Sequence, residues 1–244
     1  MKNKTLAKQA AIDIGNTSVK IGIFQEDSLI KYYEHIKLEE VSEILQQDQI
    51  QIAIVSNVSN PILEYIHQWK KIANVVELSS QMNLPFKVQY LTPATLGTDR
   101  IAVVAGAKKL FPASDCLCID VGTCLTFDFV TRDNHYLGGS ISPGLRLRLR
   151  AMHEHTSALP LVVELQKVPL IGNSTVTCML SGAIHGILAE ITGLAQQYSK
   201  LYPGVKILLT GGDAGFLVSD LPPSFYFNPK LLLIGLNAIL KLNT

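Results

Sequence analysis

The sequence predicts an α/β protein made of two similar halves, each a mixed sheet covered by helices. Three observations predict it. Short β-branched and aromatic runs alternate with stretches of helical apolar period along the 244 residues, with no low-complexity segment and no Ser/Gly linker. A run of three strands broken by tight turns opens the chain and returns near its middle. Each run carries an Asp-x-Gly-polar turn after its first strand, Ile12-Asp13-Ile14-Gly15-Asn16-Thr17 and Ile119-Asp120-Val121-Gly122-Thr123, the aspartates standing close to half a chain length apart. Self-similarity at half-length implies two copies of one domain facing each other across a cleft, residues 1–114 and 115–244.

In chain order, Ala10–Ile14, Val19–Gln25 and Ser28–Glu34 are expected as a meander, because Gly-Asn and Glu-Asp turns separate them. Lys37–Gln47 and Pro61–Ile72 have the apolar spacing of amphipathic helices and flank a strand at Gln51–Ser56. A helix through Ile101–Leu110 follows Leu96-Gly97-Thr98-Asp99-Arg100. Cys116–Val121, Leu125–Thr131 and His135–Ile141 form the second meander. The run Leu145-Arg146-Leu147-Arg148-Leu149-Arg150 alternates like a strand, yet Pro143-Gly144 before it and Ala151-Met152-His153-Glu154 after it point to a helix. Its arginines are expected on a solvated or subunit-contacting face, in preference to a nucleic-acid patch. Lys206–Leu209 is a strand leading into Thr210-Gly211-Gly212-Asp213-Ala214.

Composition excludes several classes. A chain 48% hydrophobic and 17% charged has the material for a buried core. Its net charge of +1 sets up no field to gather nucleic acid or acidic membrane. Residues 1–11 lack an apolar run of signal-peptide length and Leu231–Leu240 is too short to cross a bilayer, so a cytoplasmic protein with no membrane partner is expected. Cys116, Cys118, Cys124 and Cys178 have neither a disulfide framework nor metal-ligand spacing and are expected as buried core thiols. His153 and His155 match a metal pair only by spacing; surface or interface positions are expected, His155 being a candidate to reach a neighbouring active site.

An aspartate at a strand end, followed by Gly and small hydroxyl or amide residues, offers main-chain N–H groups that no Cβ screens from a phosphate. The carboxylate itself repels phosphate and suits the Mg²⁺ that neutralises it, directly or through water. One such turn is more simply a hairpin; two in symmetric positions favour phosphate. The Thr210-Gly211-Gly212 turn suits an adenosine or α-phosphate platform, with the positive end of a following helix turned toward it. Leu96-Gly97-Thr98-Asp99-Arg100 has two readings of equal weight. Thr98 or Asp99 caps a helix, or Arg100 pairs a substrate carboxylate while Asp99 accepts the proton of an attacking hydroxyl.

Taken together, Asp13-Ile14-Gly15-Asn16-Thr17, Tyr90-x-x-Pro93-x-x-Leu96-Gly97-x-Asp99-Arg100, Asp120-Val121-Gly122-Thr123 with Thr126, Gly138 through Gly144, Ser174-Thr175 before Ser181-Gly182, and Thr210-Gly211-Gly212-Asp213 resemble a type III pantothenate kinase. The resemblance runs from about residue 11 to the end. It implies the acetate and sugar kinase/Hsp70/actin superfamily, two ribonuclease H-like (actin-like ATPase) domains, formation of 4′-phosphopantothenate, and a homodimer. By the same resemblance Asp99 is the general base, and Tyr90, Gly97, Thr98 and Arg100 hold pantothenate together with Thr175, from the same or the partner subunit. It further implies that Asp13, Ile14, Gly15, Asn16, Thr17, Ser18, Val19 and Lys20 contact ATP, that Asp13 faces Mg²⁺, and that Thr123 binds a phosphate. Asp120 is implied to hold a monovalent cation, potassium or ammonium. An N-terminal extension and Cys124 after the second Gly-Thr depart from the family pattern without removing a catalytic side chain. Rival readings are a kinase of another small hydroxylated acid or sugar, and a non-catalytic ATP-binding regulatory or switch protein of the same superfamily.

Overall fold

The amino-terminal meander forms because its apolar residues recur at every second position and its turns accept unusual backbone. The computed structural model describes residues 7–15, 18–59 and 62–244. Strands β1 (Lys8–Ile14), β2 (Val19–Gln25) and β3 (Ser28–Ile36) pair antiparallel, and β4 (Ile52–Asn57) and β5 (Asn74–Glu77) add parallel beyond β1. The sheet order is β3-β2-β1-β4-β5. Glu26, at the tight turn into β3, takes φ 55°, the left-handed value such turns favour. Ala10, Ile12, Ile14, Ile21, Ile23, Ala53 and Val55 point to one face, where α1 (Val41–Gln47) and α2 (Leu63–Trp69) cover them with Leu45, Ile66 and the fully buried Trp69. Both helices are shorter than their sequence pattern suggests. The first is entered through a 3-10 turn at Leu38–Glu40, where the Glu40 carboxylate accepts the Lys37 N–H at 2.6 Å; Pro61, where the second was expected to begin, lies outside the described residues.

The opposite face receives α3 (Thr98–Leu110), preceded by β6 (Lys87–Val88), which pairs in parallel with the first residues of β9 (His135–Pro143). The chain divides into two compact units. The first contains the chain to Ala113, Asp133–Leu137 and Lys230–Thr244; the second contains Ser114–Arg132 and Gly138–Pro229.

In the second unit β7 (Cys116–Val121) pairs antiparallel with β8 (Cys124–Val130), β9 lies beside β8, and β10 (Lys206–Thr210) and β11 (Tyr226–Phe227) add parallel beyond β7. Read from β9, the order matches that of the first sheet, strand for strand. Helices α4 (Leu145–Glu154), α5 (Thr175–Leu201) and α6 (Ala214–Leu217) complete this unit. The 27-residue α5 is long and apolar enough to cross a membrane. Its stripe Met179, Ala183, Ile187, Ile191 and Ala195, at helical spacing, is buried in the core of this unit.

The final helix, α7 (Leu231–Leu242), belongs to the first unit and crosses α3 closely. A Cβ on Gly106 would collide with the Leu231 carbonyl, and one on Gly235 with the Ala102 carbonyl. Two glycines therefore let the backbones meet. The same pair of helices holds the β2–β3 turn: Lys109 and Lys241 donate to the Asp27 carboxylate at 2.7 and 2.8 Å, and Asn237 donates to Glu26 O at 2.9 Å.

Two expectations need correction. Cys116 and Cys118 are buried, as a strand facing a core requires, but Cys124 and Cys178 are exposed, one beside a turn and one on the outer side of a helix's first turns. The helix after the Gly211-Gly212 turn has four residues, too few to present a directed dipole. The arginine run is helical as expected, with Arg146 and Arg150 exposed; Arg146 Nε donates to Asp213 Oδ1 at 3.1 Å, and the half-buried Arg148 pairs with Glu190.

Candidate functional site

The strand register of the first sheet lines up a polar row. Ser56 of β4 lies opposite Asp13 of β1, Asp13 opposite Lys20 of β2, and Lys20 opposite Glu34 of β3. Directly opposed residues share a face, so all four side chains stand together near the carboxyl ends of β1 and β4. Lys20 Nζ is 3.6 Å from the Glu34 carboxylate. Burial pushes Glu34 up, but the Tyr32 hydroxyl and the ammonium groups of Lys20 and Lys230 outweigh it and leave the carboxyl below its ordinary value. Gly15 N–H donates to Ser18 O at 3.2 Å, closing the turn after β1. Asn16 and Thr17 lie outside the described residues. Ile14 and Val19 send their side chains into the core, so only their main chain faces the turn.

The start of α3 docks on this row. Thr98 Oγ1 is 3.0 Å from Ser56 Oγ and donates to Asn57 O at 3.4 Å. The N-cap is Gly97, which has no capping side chain; Thr98 and Asp99 lie within the first turn, where the acidic residue suits the helix start. Asp99 Oδ1 accepts the Arg100 N–H at 2.8 Å. Burial raises the Asp99 carboxyl above its ordinary value, against the lowering effect of that hydrogen bond and of the Arg100 charge. A carboxylate raised in this way is a stronger proton acceptor than an exposed one. Gly97 is fitted to it, since a Cβ there would stand 2.4 Å from Asp99 Oδ1.

Arg100 is 7% exposed, with its guanidinium carbon 5.7 Å from the centroid of the Tyr90 ring. Tyr90 in turn stacks on Tyr136, ring centroids 6.2 Å apart, and Phe86 lies 6.0 Å from Tyr136 on another side. Gln89 N–H donates to Tyr136 O at 2.9 Å, which fixes the segment that carries Tyr90. Of the residues expected around a substrate, Tyr90, Gly97, Thr98, Asp99 and Arg100 are thus one cluster.

In the second unit a corresponding row forms at the end of β7: Thr126 of β8 and Thr210 of β10 flank Asp120 directly. The Gly211 turn closes over it. Gly211 has φ +103°, and a Cβ there would stand 2.5 Å from Asp120 Oδ1, so both conformation and proximity call for glycine. Asp213 N–H donates to Val121 O, Gly122 N–H to Cys124 O and Gly144 N–H to Thr123 O, each at 3.0 Å. The second Asp-x-Gly-Thr turn and the Thr210-Gly211-Gly212 turn therefore touch, with Thr123 exposed at the surface. Thr175 begins α5 behind Ser174, whose Oγ accepts the Thr177 N–H at 3.2 Å, and lines an open groove of about 650 Å³ with Met152, Leu159, Cys178 and Met179.

The donor sets fit hard cations. Asp13 offers a carboxylate oxygen, enough for a Mg²⁺ that retains its waters, and Asp120 between two hydroxyls suits an oxygen-seeking monovalent ion. Among the described residues no three His, Cys, Asp or Glu side chains gather as a metal cluster, and His153 Nδ1 instead donates to Leu159 O at 2.8 Å. The sequence reading missed Ser56, Asn57 and the role of Arg146. For the first two a signal existed, because small polar residues at the carboxyl end of an apolar strand sit where ligands approach an open sheet.

Two sheets of one order, each ending its first strand in an aspartate turn, define the acetate and sugar kinase/Hsp70/actin superfamily fold. A conserved Baf family protein from Campylobacter jejuni has the same fold, with TM-score 0.62 and 24% identity over 95% of this chain and 97% of that one. Component A of the Acidaminococcus fermentans (R)-2-hydroxyglutaryl-CoA dehydratase also shares it, with TM-score 0.53 and 11% identity over 98% and 100% of the two chains. The model of the type III pantothenate kinase family matches residues 10–197, and a type III pantothenate kinase of Christiangramia forsetii is 41% identical over 95% of this chain and 97% of its own. The chain belongs to the type III pantothenate kinase family.

Proposed function

We propose that the protein transfers the γ-phosphate of ATP to the hydroxyl of pantothenate, giving 4′-phosphopantothenate, the first step of coenzyme A synthesis. Family membership supports the reaction. The observation that carries the chemistry is the docking of α3 on the first sheet, which sets a raised carboxyl, Asp99, one residue beyond a threonine bonded to the strand beside Asp13.

In this reading Asp99 takes the proton of the pantothenate hydroxyl as its oxygen bonds to the γ-phosphorus and the bridging oxygen departs with ADP. Tyr90, Gly97, Thr98 and Arg100 hold pantothenate, with Arg100 oriented by the Tyr90 ring, and Thr175 adds to that pocket from the same or the partner subunit. Asp13, the main chain through Gly15 and Val19, Ser18, Lys20 and Thr123 grip ATP; Asn16 and Thr17 complete the sequence motif. Asp13 would hold the Mg²⁺ that accompanies the triphosphate and Asp120 a potassium or ammonium ion, cations that would offset the charge building on the transferring group. Positioning supplies most of the acceleration, since phosphoryl transfer asks little covalent chemistry of the protein. We assign the halves 1–114 and 115–244 to two ribonuclease H-like domains, the second half lending Asp133–Leu137 and Lys230–Thr244 to the first unit, and take the working state to be a cytoplasmic homodimer. The test is ADP release from ATP, Mg²⁺ and potassium, with and without pantothenate. Release that depends on pantothenate is expected; equal release without it would point to an ATPase switch, and dependence on another hydroxy acid would reassign the acceptor.

A further inference from the structure

We propose that Ser56 is a positioning residue for phosphoryl transfer, acting through Thr98 on Asp99; the inference rests on the reaction assigned above. Ser56 is fully buried at the end of β4, in register with Asp13. Among the described residues its hydroxyl meets Thr98 Oγ1, at 3.0 Å. Because Thr98 gives its proton to the Asn57 carbonyl, the hydrogen bond runs from the Ser56 hydroxyl to Thr98 and on to the main chain of β4. This relay replaces something the helix lacks. An N-cap side chain normally fixes the first turn of a helix, but Gly97 has none, and a Cβ there would press on Asp99 Oδ1. The start of α3 is therefore held from the sheet, by a hydroxyl on the strand next to the phosphate turn. That tie sets the position of Asp99 relative to Asp13 within the first unit. Neither Ser56 nor the relay touches a reacting atom in this reading, so the effect is one of geometry.

The experiment measures steady-state kinetics of the full-length enzyme carrying Ser56→Ala, Thr98→Val, or both. Ser56→Ala is expected to lower kcat by roughly tenfold, with KM for ATP and for pantothenate within about twofold, as lost alignment of a base predicts. The double variant should fall no further than Thr98→Val alone, since both break one relay. The acid limb of the kcat–pH profile should also move to lower pH, because an Asp99 less tightly held gains water. Unchanged kcat in folded Ser56→Ala would overturn the proposal. Losses that multiply in the double variant would overturn it too, as would a loss confined to KM for ATP. If circular dichroism shows Ser56→Ala unfolded, Ser56→Cys, close in volume with a weak thiol donor, is held to the same outcomes. A wild-type enzyme without pantothenate-dependent ADP release would overturn the assigned reaction and this inference with it, whereas normal wild-type turnover with unaffected variants would overturn the positioning role alone.

Discussion

Replacing Gly97 by alanine isolates the geometry of the base from its chemistry. Gly97 has φ −58° and ψ 136°, a conformation open to any residue, so the substitution should cost the backbone little. The added Cβ, however, would stand 2.4 Å from Asp99 Oδ1, whereas ordinary contact begins near 3.4 Å. The carboxylate must retreat by about 1 Å, and a misplacement of that size costs a reaction on the order of 100-fold. The retreat also strains the 2.8 Å hydrogen bond from Arg100 N–H to Asp99 Oδ1. Coupled ADP-release kinetics on Gly97→Ala should therefore show kcat lower by about two orders of magnitude, beside a melting temperature near that of wild type. A kcat within about threefold of wild type would refute the reasoning, because Asp99 would then tolerate displacement and its placement would not limit the reaction.

Further predictions concern the charge, the ion site and the core. Asp99→Asn should lower kcat by roughly 10²- to 10⁴-fold, the usual worth of general-base help. The same change should raise the melting temperature at neutral pH, because burial disfavours the charged carboxyl in the fold. A raised carboxyl weakens the wild type as pH climbs through its folded pKa, so the advantage of Asn should vanish below the ordinary carboxylate value; a melting temperature lowered at pH 7 would contradict this. Asp120→Ala should leave an enzyme whose residual activity no longer rises with added potassium, and a preserved potassium response would remove Asp120 from the ion site. Gly235→Ala should shift the urea midpoint down by the equivalent of about 1–3 kcal/mol or more, because its Cβ meets the Ala102 carbonyl and backbone cannot step aside as a side chain can; an unchanged midpoint would mean the α3–α7 crossing is loose.

Strand and helix identity was legible because it depends on local periodicity. Ala10, Ile12 and Ile14 alternate, and the second meander repeats the pattern with Leu117, Ile119 and Val121. Family and fold class were legible for a related reason: turns that must expose main-chain N–H groups tolerate few residue types, so glycine and aspartate at set intervals leave a readable mark. Element ends were less legible. The helices expected from Lys37 and after Gly212 turned out to begin or end in 3-10 turns, where local hydrogen bonding is decided by neighbouring segments. The arginine run shows the same limit. Its spacing pointed to an exposed face, and Arg146 and Arg150 are exposed, but the acids that pair with Arg146 and Arg148, Asp213 and Glu190, lie far along the chain and left no mark beside them.

What the amino-acid order determined alone is the set of elements, the doubled strand pattern and the family, since each is written in spacings of two, three or four residues and in turn chemistry. Tertiary structure alone decided that Lys230–Thr244 closes the first unit against α3, that Cys124 and Cys178 face outward, and that Ser56 reaches Thr98 across 42 positions. Those outcomes depend on strand register and helix crossing, and a hydroxyl or glycine in the sequence carries no record of which distant atom it will meet.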